Sequence, residues 1–101
     1  MKYRHSNVPS LIQGDVPESE QRCFICGKSP CDFHHLLNKT EKNFSECIGA
    51  WIWLCRGHHR WIHDTSDGQR EWRKWKSQAQ AEFEKTHSRD EWMKGSHRNY
   101  L

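Results

Sequence analysis

Residues 54–63 read LCRGHHRWIH, one cysteine and three histidines in ten positions. Thiolate and imidazole are the preferred donors for Zn2+. A single ion has no need of all four from one short stretch, so the spacing points to two separate tasks. Cys55 and His58 form a CxxH pair, and upstream Cys23 and Cys26 form a CxxC pair. Together they make a Cys3His set, which suits a tetrahedral structural zinc closed by four protein ligands. Gly27, directly after Cys26, lets the backbone fold round the metal. Cys31 and Cys47 are left over. Cys31 could replace one ligand, but it sits on an expected strand, and both are read as packing residues.

The remaining histidines suggest a second, open site. His59 and His63 are four residues apart, so on a helix they share one face and suit one cation. His34 and His35 are adjacent. Neighbours on a strand point to opposite sides, so only one of them can face that cation squarely. The other is available for proton chemistry.

Those donors need elements to hold them. CDFHHLL, residues 31–37, reads as a strand bounded by Pro30 and Asn38. IGAWIWL, residues 48–54, is a second strand, and the polar residues 38–47 between them are expected to be a loop. A helix is expected from about Arg56 to Asp64, and TSDG at 65–68 reads as a break. After Gly68, Trp72, Trp75, Ala79 and Phe83 recur on one face of a long helix. Ser88 followed by Glu91 is a capping-box signature. It predicts a last helix over 89–94 with Gly95 as its stop. Residues 1–20, with Pro9, Gly14 and Pro17, read as an extended N-terminal arm. The expected organisation is arm 1–20, knuckle and two-strand-plus-helix core 21–66, and a helical tail 67–101 packing on that core. The fold class is α+β.

The totals agree with a metal-stapled chain. It has 101 residues, 34% of them hydrophobic and 29% charged, with six tryptophans. A core this thin often needs a metal or disulfides. Five cysteines is an odd number, and no apolar leader opens the sequence. Both favour a reducing cytoplasm and metal binding over a disulfide framework. No run approaches the roughly 18 apolar residues of a membrane span. The net charge of +3 is compatible with a nucleic-acid partner.

Taken together, CFICGKSP, DFHHLL and WLCRGHHRWIH resemble the HNH (His-Me finger) nucleases that carry a treble-clef zinc knuckle. The likeness is greatest to phage RecA-dependent nucleases of the recombination-enhancement type and to related small phage HNH proteins. It covers roughly residues 22–101, including the tail AQAEFEKTHSRDEWMKGSHRNYL. The resemblance implies a ββα-metal fold in which His35 is the general base. It implies that His34, His59 and His63 hold a catalytic divalent cation (Mg2+, Mn2+, Ni2+ or Zn2+), and that Cys23, Cys26, Cys55 and His58 hold the structural zinc. It further implies DNA as substrate and phosphodiester hydrolysis in phage recombination or DNA processing, with a recombinase filament or another phage or host DNA-processing protein as partner. One position departs from the family pattern. Many HNH proteins carry an asparagine nine residues before the first helix histidine, where it braces the loop and orients the base. Here that position is Ala50, with Asn38 and Asn43 as substitutes in the expected loop.

Two other functions fit the same residues. One is a non-catalytic treble-clef zinc module that binds nucleic acid or a protein; Ala50 favours it. The other is a purely structural zinc mini-domain, in which His35 has no role. Arg70, Arg73, Lys74 and Lys76 lie on the polar side of the long helix. They are candidates for DNA phosphate contacts, or simply a solvated face.

Overall fold

Two short strands built from β-branched, aromatic and histidine residues form the centre of the molecule. In the computed structural model, which describes residues 8–101, β1 (Cys31–His35) pairs antiparallel with β2 (Trp51–Cys55). Cys31 lies opposite Cys55, and His35 lies opposite Trp51. Helices α1 (Lys42–Ile48), α2 (Arg56–Asp64), α3 (Ser66–Phe83) and α4 (Arg89–Ser96) complete an α+β fold. Among the described residues no helix is long and apolar enough to cross a membrane.

Strand alternation divides the core in two. On one face Ile52 and Leu54 join Leu36, Ile62, Trp75, Ala79, Phe83 and Trp92. On the other, Trp51 and Trp53 pack with Val16 and Phe33. β2 is therefore covered on both sides, which explains its unbroken apolar sequence. The cover on the second face comes from the N-terminal segment. The Ser10 hydroxyl donates to the Trp51 carbonyl at 2.5 Å, and the Trp53 indole donates to the Val16 carbonyl at 3.0 Å. The described part of the expected extended arm is a Ser10–Gly14 bridge followed by a 3-10 turn at Glu18–Glu20. Residues 1–7 of that arm lie outside the described residues.

Several local expectations are corrected. The stretch 38–47 is not a loop, because α1 occupies Lys42–Ile48. Phe44 and Ile48 lie one turn apart and pack on the main core, and Ser45 is fully buried beside them. That apolar face is only two residues wide, so the polar composition conceals it. Because Ile48 ends α1, β2 begins at Trp51 rather than at 48. β1 ends at His35 rather than 37, although Leu36 still donates to the Ala50 carbonyl at 2.9 Å. Cys47 is exposed and does not pack.

The break after α2 is shorter than TSDG. Thr65 alone separates the helices, its hydroxyl accepting from the Gly68 N–H at 2.9 Å. Gly68 lies inside α3, and a Cβ there would stand 2.2 Å from the Trp61 carbonyl oxygen, so glycine sets the close approach of α2 and α3. The Ser88–Glu91 capping box is present. Gly95 is not the stop: α4 runs to Ser96 and ends on His97 at φ 64°. A Cβ on Gly95 would lie 2.3 Å from the Phe44 ring, so its job is helix contact. The last residues return to the core. The Tyr100 N–H donates to Gln80 Oε1 at 2.7 Å, and the Trp92 indole donates to the Arg98 carbonyl at 2.9 Å.

Candidate metal centres

Two histidine-containing clusters flank the start of α2. The first joins the knuckle to the strand–helix junction. The knuckle is closed by Gly27, whose N–H donates to the Cys23 carbonyl at 2.9 Å with φ 77°. Phe24 N–H donates to the Trp53 carbonyl at 2.8 Å and ties the knuckle to β2. Cys55 sits at the N-cap of α2, which places His58 one turn on. His58 Nδ1 is 3.5 Å from Cys23 Sγ and 3.4 Å from Cys55 Sγ, and Cys26 Sγ is 3.9 Å from Cys55 Sγ. All four donor atoms lie within 4.8 Å of one another. Tetrahedral zinc, with Zn–S near 2.3 Å and Zn–N near 2.0 Å, requires S···S edges of about 3.8 Å and S···N edges of about 3.5 Å. The cluster could therefore hold a metal ion such as zinc with little adjustment.

Electrostatics support that fit. Burial tends to raise the Cys23 thiol, but backbone hydrogen bonds at Cys55, Cys26 and Ile25 and the His58 ring outweigh it and bring it down to about 6. Cys26 has a backbone hydrogen bond from Lys28 that favours its thiolate, yet burial and the neighbouring sulfurs Cys23 and Cys55 push it up overall. Mutual repulsion of this kind is relieved by a dication. Cys31 lies just outside. Burial and then the three nearby sulfurs push it to about 11, and its Sγ–H donates to the Lys28 carbonyl at 3.1 Å. It remains a thiol, which separates it from the four donors.

The second cluster is His34, His59 and His63, whose ring nitrogens also lie within 4.8 Å of one another. β1 directs Asp32 and His34 toward α2, where His59 and His63 share one helical face. The ring centroids are 5.2 Å apart for His34–His59 and 5.1 Å for His59–His63. His34 is 4% exposed, and its Nε2 is buried without a hydrogen-bond partner. Burial, followed by the fields of His59 and His63, holds its imidazole down to about 2, so it stays neutral and able to ligate. His63 is also held below its usual range, chiefly by burial. The Asp32 carboxylate accepts from His59 Nδ1 at 3.0 Å, which leaves Nε2 of His59 as the ligating nitrogen. That hydrogen bond from His59, with Arg56 at 3.3 Å, keeps Asp32 below the normal carboxylate range.

Three donors leave coordination positions open, and the space in front of them is a cavity of about 430 Å3. His35 lines it beside Phe33, Lys42 and Trp72. Trp72 comes from α3, its ring centroid 4.7 Å from that of His34 and 5.0 Å from that of His63. Its indole N–H donates to the Leu36 carbonyl at 2.8 Å, which fixes the wall. His35 contacts Glu46 of α1 through Nε2 at 2.5 Å, and burial pushes the Glu46 carboxyl up. Asn43 lines the small cavity beside that contact, and Asn38 lines the larger one. Ala50 is fully buried, its carbonyl bonded to Leu36 N–H.

The basic residues of α3 divide. Arg70 pairs with Asp67, and Lys74 pairs with Glu71 at 3.2 Å. Arg73 and Lys76 carry no ion pair among the described residues and line a separate cavity with Arg98 and Tyr100, which Arg70 lines as well. Sequence reasoning missed Asp32, Glu46, Trp72 and Arg98 as site residues. Asp32 carried a signal, because it lies two residues before His34 on the same strand face. Glu46 carried none while its helix read as a loop. Compared with protein-family models, with curated proteins and with solved structures, the chain matches none.

Proposed function

We propose that this chain is a metal-dependent DNA endonuclease of the HNH (His-Me finger) type, stapled by a treble-clef zinc knuckle. One observation carries the reading. The unpartnered, buried His34 Nε2 converges with His59 and His63 on an open cavity whose wall contains His35. Strand alternation separates the two adjacent histidines into a ligand and a proton carrier. A divalent cation at the three imidazoles would supply charge neutralisation at the scissile phosphate and the leaving oxygen. His35 takes the proton of the attacking water. Glu46 contacts the imidazole at Nε2 and orients it toward the cavity. Trp72 and Phe33 wall the site. The substrate is DNA, naked or coated by a recombinase, in the reducing cytoplasm where a thiolate zinc site persists.

The alternative is a zinc-stapled module that binds nucleic acid or protein without cutting it. The specific observation in its favour is Ala50, a methyl group where the family pattern has a side-chain amide. Glu46 supplies a different brace for the base. Inserting Asn at position 50 would overpack a fully buried site at a cost of about 1–3 kcal/mol, so that replacement is expected to destabilise rather than activate.

The deciding experiment is cleavage of supercoiled plasmid, single-stranded DNA and recombinase-coated DNA with Mg2+, Mn2+, Ni2+ or Zn2+ added. Nicking or cutting is expected, with His35→Ala slower by about 10²–10⁴ while its circular dichroism stays native. Absence of cleavage under every condition replaces the nuclease with the binding module.

A further inference from the structure

Trp72 also lines a second cavity of about 340 Å3, together with Arg70, Arg73, Lys76, Arg98 and Tyr100. We infer that this cavity is a binding site for a backbone phosphate of nucleic acid, held by Arg73, Lys76 and Arg98 one side chain away from the open metal centre. The inference rests on the nuclease reading only for the identity of the polymer, because Trp72 lines both cavities.

The pairing pattern along α3 is the first support. Arg70 and Lys74 each have an acidic residue three positions earlier and form ion pairs with it. Arg73 and Lys76 have none at that spacing: apart from each other, their neighbours one turn away are Gln69, Arg70, Trp72, Ser77, Ala79 and Gln80. No ion pair is formed by Arg73, Lys76 or Arg98 among the described residues. Glu41, whose field reaches Lys76, contacts Thr40 at 2.5 Å and His97 at 3.5 Å instead. With Arg70 offset by Asp67, the remaining cations Arg73, Lys76 and Arg98 against one displaced carboxylate leave a net positive concavity.

The second support is that the cations are held in place. The Arg73 guanidinium carbon lies 5.4 Å from the Tyr100 ring centroid, and Lys76 Nζ lies 5.2 Å from it. Lys76 Nζ also sits 4.6 Å over the Trp72 ring. Cation–π contacts on the shared Tyr100 ring, and that of Lys76 on Trp72, offset the repulsion between these groups. Burial and then the charges of Arg98 and Arg73 still hold Lys76 below the usual amine range, and an anion would relieve that strain. The Arg98 backbone is anchored by its carbonyl, which accepts from the Trp92 indole at 2.9 Å and the Ser96 hydroxyl at 3.0 Å. Arginine forks match phosphate oxygens, and the lysine adds a point charge.

The test is fluorescence anisotropy of a labelled DNA duplex with the full chain, without added divalent cation, over a range of KCl. Arg73→Ala and Arg98→Ala should each weaken binding roughly ten-fold. Each should also lower the salt slope by about 1. Lys74→Ala, which removes an exposed paired charge outside the cavity, should change affinity by less than about two-fold. Arg98→Lys should recover part of the loss, and all variants should keep wild-type melting curves. Equal effects of Lys74→Ala and Arg73→Ala would show a diffuse basic face and overturn the site. So would absence of DNA binding by the wild type. Displacement of DNA by micromolar inorganic phosphate at constant ionic strength would show a free-phosphate site instead. Binding that follows this pattern without any cleavage leaves the phosphate site standing and removes the nuclease; cleavage without the pattern does the reverse.

Discussion

The two clusters that could hold a metal ion share one helix start yet differ in donor type, donor number and access. Cys23, Cys26, Cys55 and His58 offer four donors, three of them sulfur, at edge lengths that match filled tetrahedral coordination. His34, His59 and His63 offer three imidazole nitrogens with a cavity in front and a fourth histidine in its wall. A closed thiolate site contributes folding free energy outright, whereas an open imidazole site leaves room for water and substrate. Consecutive residues His58 and His59 belong to different clusters because one helical step rotates a side chain by about 100°. The dipeptide thus divides its two imidazoles between a closed four-donor cluster and an open three-donor one.

The largest effect should come from breaking the closed cluster. Structural zinc in small peptides is worth about 10–16 kcal/mol of apparent binding free energy, which exceeds the stability of most domains. Cys26→Ser, or strong chelation of the wild type, should therefore unfold the chain. Circular dichroism and thermal melting check this, and a native melt after complete zinc removal would show that the cluster is not the staple.

Breaking the open cluster should leave the fold alone. His63→Ala is expected to retain one zinc per chain by metal analysis, with a native spectrum, while cation binding at the second site and cleavage are lost. Loss of all zinc would mean that the histidines are divided wrongly between the clusters.

A smaller effect is expected one shell outward. Asp32→Asn keeps the shape but weakens the acceptor of His59 Nδ1–H. Cation affinity at the open site should fall by about 10–100-fold, read by isothermal titration with Mn2+ or Ni2+. Unchanged affinity would remove Asp32 from the site.

The mildest perturbation is acid. His34 is held down to about 2 by burial, against roughly 6.5 in the unfolded chain. Below about pH 6.5 the unfolded chain takes up a proton that the folded chain refuses. The stabilisation is therefore complete above 6.5 and declines as pH falls toward 2, by up to about 1.4 kcal/mol per unit. Thiolate protonation at the other cluster adds to the loss in every variant. Urea unfolding at pH 7, 6 and 5 should thus show a steeper decline for wild type than for His34→Asn. Parallel declines would contradict a buried, neutral His34.

Much of this arrangement is legible in local spacing. The CxxC and CxxH pairs, the i, i+4 histidines on α2 and the Ser88–Glu91 capping box are all short-range patterns, and short-range geometry is what a sequence displays directly. The failures also have a local cause. In α1 only Phe44, Ser45 and Ile48 face inward, too few to show a period among charged residues. At Gly68 and Gly95 a residue that usually ends a helix serves instead to let another element approach, and that element lies six or more residues away in the chain.

By itself the sequence determined the Cys3His set and the His59–His63 pair, because metal chemistry depends on residue type and on helical or strand periodicity over a few positions; spacing alone left open which of His34 and His35 joins that pair. Only the tertiary structure decided what surrounds them. Glu46 reaches His35 across eleven residues, Trp72 reaches the Leu36 carbonyl across 36, and Arg98 joins Arg73 and Lys76 because the chain end is tied back to Gln80 and Trp92. Such contacts depend on how α1, α3 and the C-terminal segment pack against the sheet, and packing is a property of all the buried surfaces together rather than of any one stretch.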